Sequence, residues 1–216
     1  MRILFFGDSI TDAGRVKENA LPHTALGVGF VRSIAERLIG AEPDKHEIIN
    51  TGISGHRIVD LYARVKKDCW NYNPDVVSIL VGINDLWHEI SSQNGVEPER
   101  FERIYRMLIE DTKKALPDVK IILCEPFVIK GHKTEPTDEM PDRFEIFKGV
   151  YEYARIVKKL AEEYSLPFVA LQEKLTEASE RLGPSYICHD GIHPSLGGAH
   201  LIAEEWLKVF KAEIEK

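Results

Sequence analysis

Arg2-Ile3-Leu4-Phe5-Phe6-Gly7-Asp8-Ser9-Ile10-Thr11-Asp12 is the stretch on which the reading of this chain turns. Its apolar residues, Ile3 to Phe6, run without a polar break and stop at Gly7. A short continuous apolar run bounded by a turn residue marks a buried strand, as in a parallel sheet. In open α/β sheets the working groups lie just beyond the carboxyl ends of the strands, and that is where Ser9 falls. Gly7 permits a tight turn, which would hold the serine hydroxyl out of the sheet with its own N–H facing the same space.

Outward from this stretch, strand and helix signals alternate. Apolar residues recur at helical spacing over 29–38, 58–70, 98–116, 144–164, 171–182 and 196–214. Short strand candidates cover 46–50, 76–81, 119–124 and 167–171. The segment from Lys130 to Asp142 is polar, carries Gly131, Pro136 and Pro141, and reads as a loop or lid rather than a linker. This order predicts one domain spanning residues 1–216, a three-layer α/β/α sandwich with a five-stranded parallel sheet covered by helices on both faces.

Composition narrows the function. A formal net charge of −7 argues against a nucleic-acid surface or an anionic membrane as partner. No stretch reaches the roughly 18 apolar residues of a membrane span. The N-terminus enters the first strand at once, so no signal peptide is expected and the expected location is cytoplasmic. Cys69, Cys124 and Cys188 are odd in number and widely spaced, which speaks against a disulfide framework and for a reducing compartment. Long helices such as 144–164 could pack on a second copy in a homo-oligomer, but they cover a sheet equally well.

The first three strands each end in a short polar loop bearing glycine: Gly7-Asp8-Ser9, Gly52 to Gly55, and Gly82 to Asp85. Parallel strands set these loops side by side on one sheet edge. A nucleophilic serine needs a base, and donors where the carbonyl oxygen turns negative. The N–H groups of Ser9 and Gly55 and the amide of Asn84 form such a donor set. Each has a plainer reading: Ser9 or Asn84 as a helix cap, Gly55 as a positive-φ residue. Three caps, however, have no reason to converge on one edge. The base is sought in Asp190-Gly191-Ile192-His193-Pro194, where an aspartate three residues before a histidine can accept from its Nδ1 while Nε2 takes the serine proton. Cys188, His189, Asp190, His193 and His200 crowd one stretch, so a metal reading centred on His189 and His193 is weighed, but no HExxH or second cysteine–histidine pair completes it. A phosphatase using Asp8 would want a second carboxylate nearby, and Asp12 is its one close candidate. A non-catalytic carbohydrate-binding protein on the same fold is the rival from another class.

With these residues assembled, the chain resembles the SGNH-hydrolase (GDSL esterase) superfamily. Its four blocks match Ser9 in Gly-Asp-Ser-Ile-Thr, Gly55 in Asn-Thr-Gly-Ile-Ser-Gly, Asn84 in Gly-Ile-Asn-Asp, and His193 in Asp-Gly-Ile-His-Pro, in family order. The resemblance implies a flavodoxin-like strand order 2-1-3-4-5. It implies Ser9 as nucleophile, His193 as base, Asp190 as its orienter, and Ser9, Gly55 and Asn84 as the oxyanion hole, with no metal and no cofactor. Ser9 to Arg15 and Gly82 to Trp87 look like intracellular bacterial acetyl-xylan esterases, which implies a short-chain ester or an acetylated oligosaccharide as substrate. Asp8, Trp87 and Ile192 are the expected substrate contacts. A lysophospholipase or thioesterase reading stays open, although the polar 130–142 segment is a poor lid for long acyl chains.

Overall fold

The computed structural model describes residues 1–215. The N-terminal apolar run forms β1 (Arg2–Gly7), and the later strands are β2 (Glu47–Asn50), β3 (Val76–Leu80), β4 (Lys120–Cys124) and β5 (Phe168–Val169). They make one sheet in the order β2-β1-β3-β4-β5, and every pairing is parallel. The helices among the described residues are α1 (Ser9–Asp12), α2 (Phe30–Ala41), α3 (Ile58–Asp68), α4 (Ile83–Ser92), α5 (Pro98–Ala115), α6 (Arg143–Phe147), α7 (Val150–Tyr164), α8 (Gln172–Leu182), α9 (Pro184–Ile187) and α10 (Leu196–Glu213).

Successive side chains on a strand point to opposite faces, and the core divides accordingly. Ile3 and Phe5 pack with Phe30 and Ile34 of α2, Leu175 of α8, and Trp206 and Phe210 of α10. Leu4 and Phe6 pack with Ile58 and Leu61 of α3, Phe101 and Tyr105 of α5, and Val157 and Leu160 of α7. Burial on both faces is what requires a strand apolar at every position. Ser78 breaks that pattern inside β3 for a reason: it accepts a hydrogen bond from Trp206 Nε1 at 2.9 Å. Without that acceptor the buried indole N–H would cost about 1–3 kcal/mol.

Three elements differ from the sequence expectation. Residues 144–164 do not form one helix: the chain breaks at Lys148-Gly149 between α6 and α7. A Cβ on Gly149 would lie 3.2 Å from Leu86 Cδ2, so the break is where α4 approaches closely. The polar Gly82–Asp85 stretch is not a free loop but runs from the cap of α4 into its first turn, Gly82 being left-handed at φ +144°. Ile83, Leu86, Trp87 and Ile90 then continue at helical spacing. The turn after β1 is itself one turn of helix, capped by Asp8.

Candidate active site

Asp8 caps α1, its Oδ1 accepting the Ile10 N–H at 2.9 Å. Ser9 therefore occupies the first helical position rather than the cap, and its hydroxyl is free for another partner. That partner is His193: Ser9 Oγ lies 2.8 Å from Nε2. The other ring nitrogen, Nδ1, lies 2.7 Å from Asp190 Oδ2. The three-residue spacing works because the carboxylate turns the chain around itself. Asp190 Oδ1 accepts the backbone N–H groups of Ile192 at 2.9 Å and His193 at 2.7 Å, and Gly191, between Asp190 and Ile192, turns the chain at φ +89°. Burial alone would raise the Asp190 carboxyl, but the hydrogen bonds from the His193 ring and from the His193 and Ile192 backbones hold it well below the usual carboxylate range. It is thus ionised at every pH where a histidine titrates.

Gly55 and Asn84 reach the same place. A cleft of about 460 Å³ is lined by Ser9, Gly55, Asn84, Trp87, His88 and His193, together with Ser54 and Ser91. Gly55 stands at φ +82° with open space where a Cβ would project, and the Asn84 amide donates to His56 O at 3.1 Å. A second hollow, of about 280 Å³, opens on the far side of Ser9 between Ala13, Val28, Phe30 and Pro194. Ser9, Ser54 and His193 border both.

Contacts that sequence reasoning did not assign hold these loops together. Arg64 of α3 reaches under the sheet edge, donating to Gly7 O at 3.0 Å, Thr51 O at 2.7 Å and His56 Nδ1 at 3.0 Å, with its guanidinium 4.4 Å above the Phe6 ring. Asp12 Oδ2 accepts both the N–H and the hydroxyl of Ser54 at 3.1 Å, which ties α1 to the Gly55 loop. Asp85 accepts the Ile58 N–H at 3.0 Å and so joins the Asn84 helix to the same loop. Apart from helical periodicity on α3, nothing in the sequence pointed to these partners. Burial pushes the Asp8 carboxyl up to about 7 and that of Asp85 up to about 8.

The expected substrate contacts divide. Trp87 lines the cleft. Asp8 and Ile192 do not reach it, being 1% and 0% exposed. Asp8 turns inward to cap α1, and Ile192 joins the core under the loop it belongs to. The Asp8 phosphatase reading fails on the same burial, and Asp12 is occupied by Ser54 and Lys17. The histidine-rich stretch does not converge either. Both His193 nitrogens face Ser9 and Asp190, His189 packs edge-on against His132, and His200 lies against Arg37. The segment expected as a loop or lid carries Lys133, whose Nζ lies 3.1 Å from Asp190 Oδ2.

Among the described residues no helix is long and apolar enough to cross a membrane. The family described as GDSL-like Lipase/Acylhydrolase matches residues 5–201. An acetylxylan esterase of Geobacillus stearothermophilus is 36% identical over 214 residues, covering 96% of this chain and 92% of that protein. A crystal structure of that esterase superimposes with a TM-score of 0.82 at 34% identity, over 96% of this chain and 93% of that one. A protein of Parabacteroides merdae described as a GDSL-like lipase superimposes with a TM-score of 0.87 at 34% identity, over 98% and 96% of the two chains. Solved variants of the Geobacillus esterase described as catalytic mutants replace a serine, an aspartate and a histidine by alanine, the last two three positions apart. The sheet order, the cleft at the end of β1 and these likenesses lead to one conclusion: the chain belongs to the GDSL-like lipase/acylhydrolase family of carboxylic ester hydrolases.

Proposed function

We propose that this protein is a serine esterase that removes short acyl groups, acetyl above all, from polar alcohols such as xylo-oligosaccharides. The observation that carries the reading is the hydrogen-bonded chain Ser9 Oγ–His193 Nε2–Asp190 Oδ2, closed at 2.8 and 2.7 Å. In the first step Ser9 Oγ attacks the ester carbonyl carbon while His193 Nε2 takes its proton. The carbonyl electrons move to an oxyanion that accepts from the Ser9 and Gly55 N–H groups and the Asn84 amide. Collapse expels the alcohol, which leaves with the proton from His193 and an acyl group on Ser9. Water then gives a proton to His193 and attacks the acyl carbon; collapse breaks the bond to Ser9 Oγ, which takes that proton back from His193 as the acid leaves. Asp190 orients the ring and stabilises the imidazolium in both steps. The reaction needs no cofactor.

The substrate class is supported by the acetylxylan esterase relative and by the cleft itself, where Ser54, His88 and Ser91 supply polar edges and Trp87 a flat face for a sugar ring. The three buried, unpaired cysteines support a cytoplasmic location. The test is the initial rate on p-nitrophenyl acetate and on acetylated xylo-oligosaccharides, wild type beside Ser9→Ala. Turnover of both substrates that falls to background in the variant is expected, with p-nitrophenyl octanoate turned over more slowly. Equal rates in the two proteins would remove Ser9 as nucleophile, and a preference for octanoate would point to lipolytic substrates instead.

A further inference from the structure

Segment 129–134 is fastened along the loop that carries Asp190 and His193. The Ile129 N–H donates to Gly191 O at 2.9 Å, the His132 N–H to His189 O at 3.1 Å, and the Lys133 N–H to Asp190 O at 3.1 Å. A Cβ on Gly131 would stand 2.2 Å from Gly191 N and 2.5 Å from Asp190 C, so glycine is what lets the two backbones meet. Thr134, fully buried, closes the segment by donating its hydroxyl to Ile129 O at 2.7 Å. This framework fixes Lys133 beside Asp190. Its Nζ lies 3.1 Å from Asp190 Oδ2, the oxygen that holds His193 Nδ1 at 2.7 Å. The same ammonium lies 5.6 Å from the centre of the Trp87 ring, which is 6.2 Å from the His193 ring.

We propose that Lys133 is a positioning residue that shares Asp190 Oδ2 with His193 and weakens, through its charge, the hold of Asp190 on the protonated imidazole. The inference rests on the reading of Ser9, His193 and Asp190 given above. Facing a lone carboxylate, protonation of His193 completes a neutral ion pair. Facing a carboxylate already paired with an ammonium, it adds a net positive charge to a partly buried site, which disfavours the imidazolium. Asp190 cannot offer its other oxygen in exchange, because Oδ1 is held by the Ile192 and His193 N–H groups. The consequence is a base that stays free further into acid and an imidazolium that gives its proton to the leaving alcohol more readily.

The other titratable groups around His193 act from elsewhere. Asp8 lies behind Ser9, and burial pushes its carboxyl up to about 7; its charge, when present, favours the imidazolium. Asp85 lies beyond Asp8, and burial pushes its carboxyl up to about 8. His88 borders the cleft and is held below the usual histidine range by burial. None of them touches Asp190 Oδ2, and all are common to wild type and the variants below.

The experiment compares full-length wild type, Lys133→Met and Lys133→Arg, reading kcat/KM for p-nitrophenyl acetate from pH 4.5 to 9 at low salt and in 1 M NaCl. Lys133→Met is expected to move the acidic limb up by about half to one pH unit, the effect of one nearby charge in a partly solvated site. That makes it about three- to tenfold slower below the limb and undiminished at pH 9. Lys133→Arg keeps the wild-type limb, and the gap shrinks in high salt because the lysine side chain is 42% exposed. A lysine that merely anchors its segment would lower the rate equally at every pH, and an unmoved limb in Lys133→Met overturns the proposal. Ring-proton NMR titration of His193 in the same proteins needs no turnover. If its midpoint rises in Lys133→Met while no ester is hydrolysed, the inference about Lys133 stands and the esterase reading falls. If the midpoint also stays still, Lys133 has no such role.

Discussion

Asp190→Asn changes one atom, and the structure says which way the new amide must face. Oδ1 accepts two backbone N–H groups, from Ile192 at 2.9 Å and His193 at 2.7 Å. Placing the amide NH₂ there would set donors against donors, so the carbonyl oxygen stays and the NH₂ turns toward His193 Nδ1. That nitrogen then has to accept, its proton moves to Nε2, and Nε2 now donates to Ser9 Oγ where it should take a proton. A tautomer error of this kind costs about 10⁴-fold in kcat, equivalent to about 5.4 kcal/mol of transition-state stabilisation. The fold should survive. The turn held through Oδ1 is kept, and the charge-assisted bonds lost at Oδ2 are worth about 1.5–3 kcal/mol each at most. The assay is kcat and KM on p-nitrophenyl acetate at pH 8, with circular dichroism and a thermal melt on the same preparations. KM is expected to change little, and the melt to stay cooperative at a lower midpoint. A folded variant within tenfold of wild type would refute the argument, since the ring would then hold its working tautomer without the carboxylate.

The buried pair Asp8 and Asp85 makes stability depend on pH in the opposite sense to an ion-paired carboxylate. Both bind their protons more tightly folded, at about 7 and about 8, than the ordinary 3.8, so stability falls as pH rises from about 4 to about 8. Asp85→Asn should make the fall of the urea midpoint across that window shallower, removing a loss on the order of 5 kcal/mol at 1.36 kcal/mol per unit while the Asp8 share remains; an unchanged slope would show that Asp85 does not contribute. Gly131→Ala puts a Cβ 2.2 Å from a backbone nitrogen of the Asp190 loop, which has no side chain to move aside. It should lower stability by about 1–3 kcal/mol and kcat at least tenfold, whereas Gly40→Ala, with nothing within 4 Å inside α2, should gain about 0.5–1 kcal/mol and leave the rate alone. Like behaviour of the two variants in melts and rates would contradict the close approach at Gly131.

Much of this was readable because parallel strands buried on both faces leave unbroken apolar runs, as in Ile3 to Phe6 and Ile121 to Cys124. Each of the first three strands then hands over directly to a polar loop, so Ser9, Gly55 and Asn84 could be placed on one edge before any contact was known. What stayed hidden depends on contacts between distant positions. Lys133 meets Asp190 across 57 residues and Arg64 meets Gly7 across 57, and no local pattern encodes either. Asp8 and Ile192 were expected in the cleft because they adjoin residues that are there. A neighbour in sequence faces the other way when its side chain is needed as a cap or in the core. The start of α4 was hidden by its own polar first turn, where Asn84 and Asp85 serve the cleft and the Gly55 loop instead of the helix.

Ser9 and His193 stand 184 residues apart in a chain whose first strand lies inside the sheet. At about 5–20 residues per second on the ribosome, the serine waits roughly ten to forty seconds before its histidine has been synthesised. The loop carrying that histidine then needs α10 behind it, since Trp206 and Phe210 cover the face of β1 bearing Ile3 and Phe5. On the proposed mechanism, a nascent or prematurely terminated chain therefore carries the serine without its base. The proposed hydrolysis would therefore wait for the C-terminal helix to close over the strand that was made first.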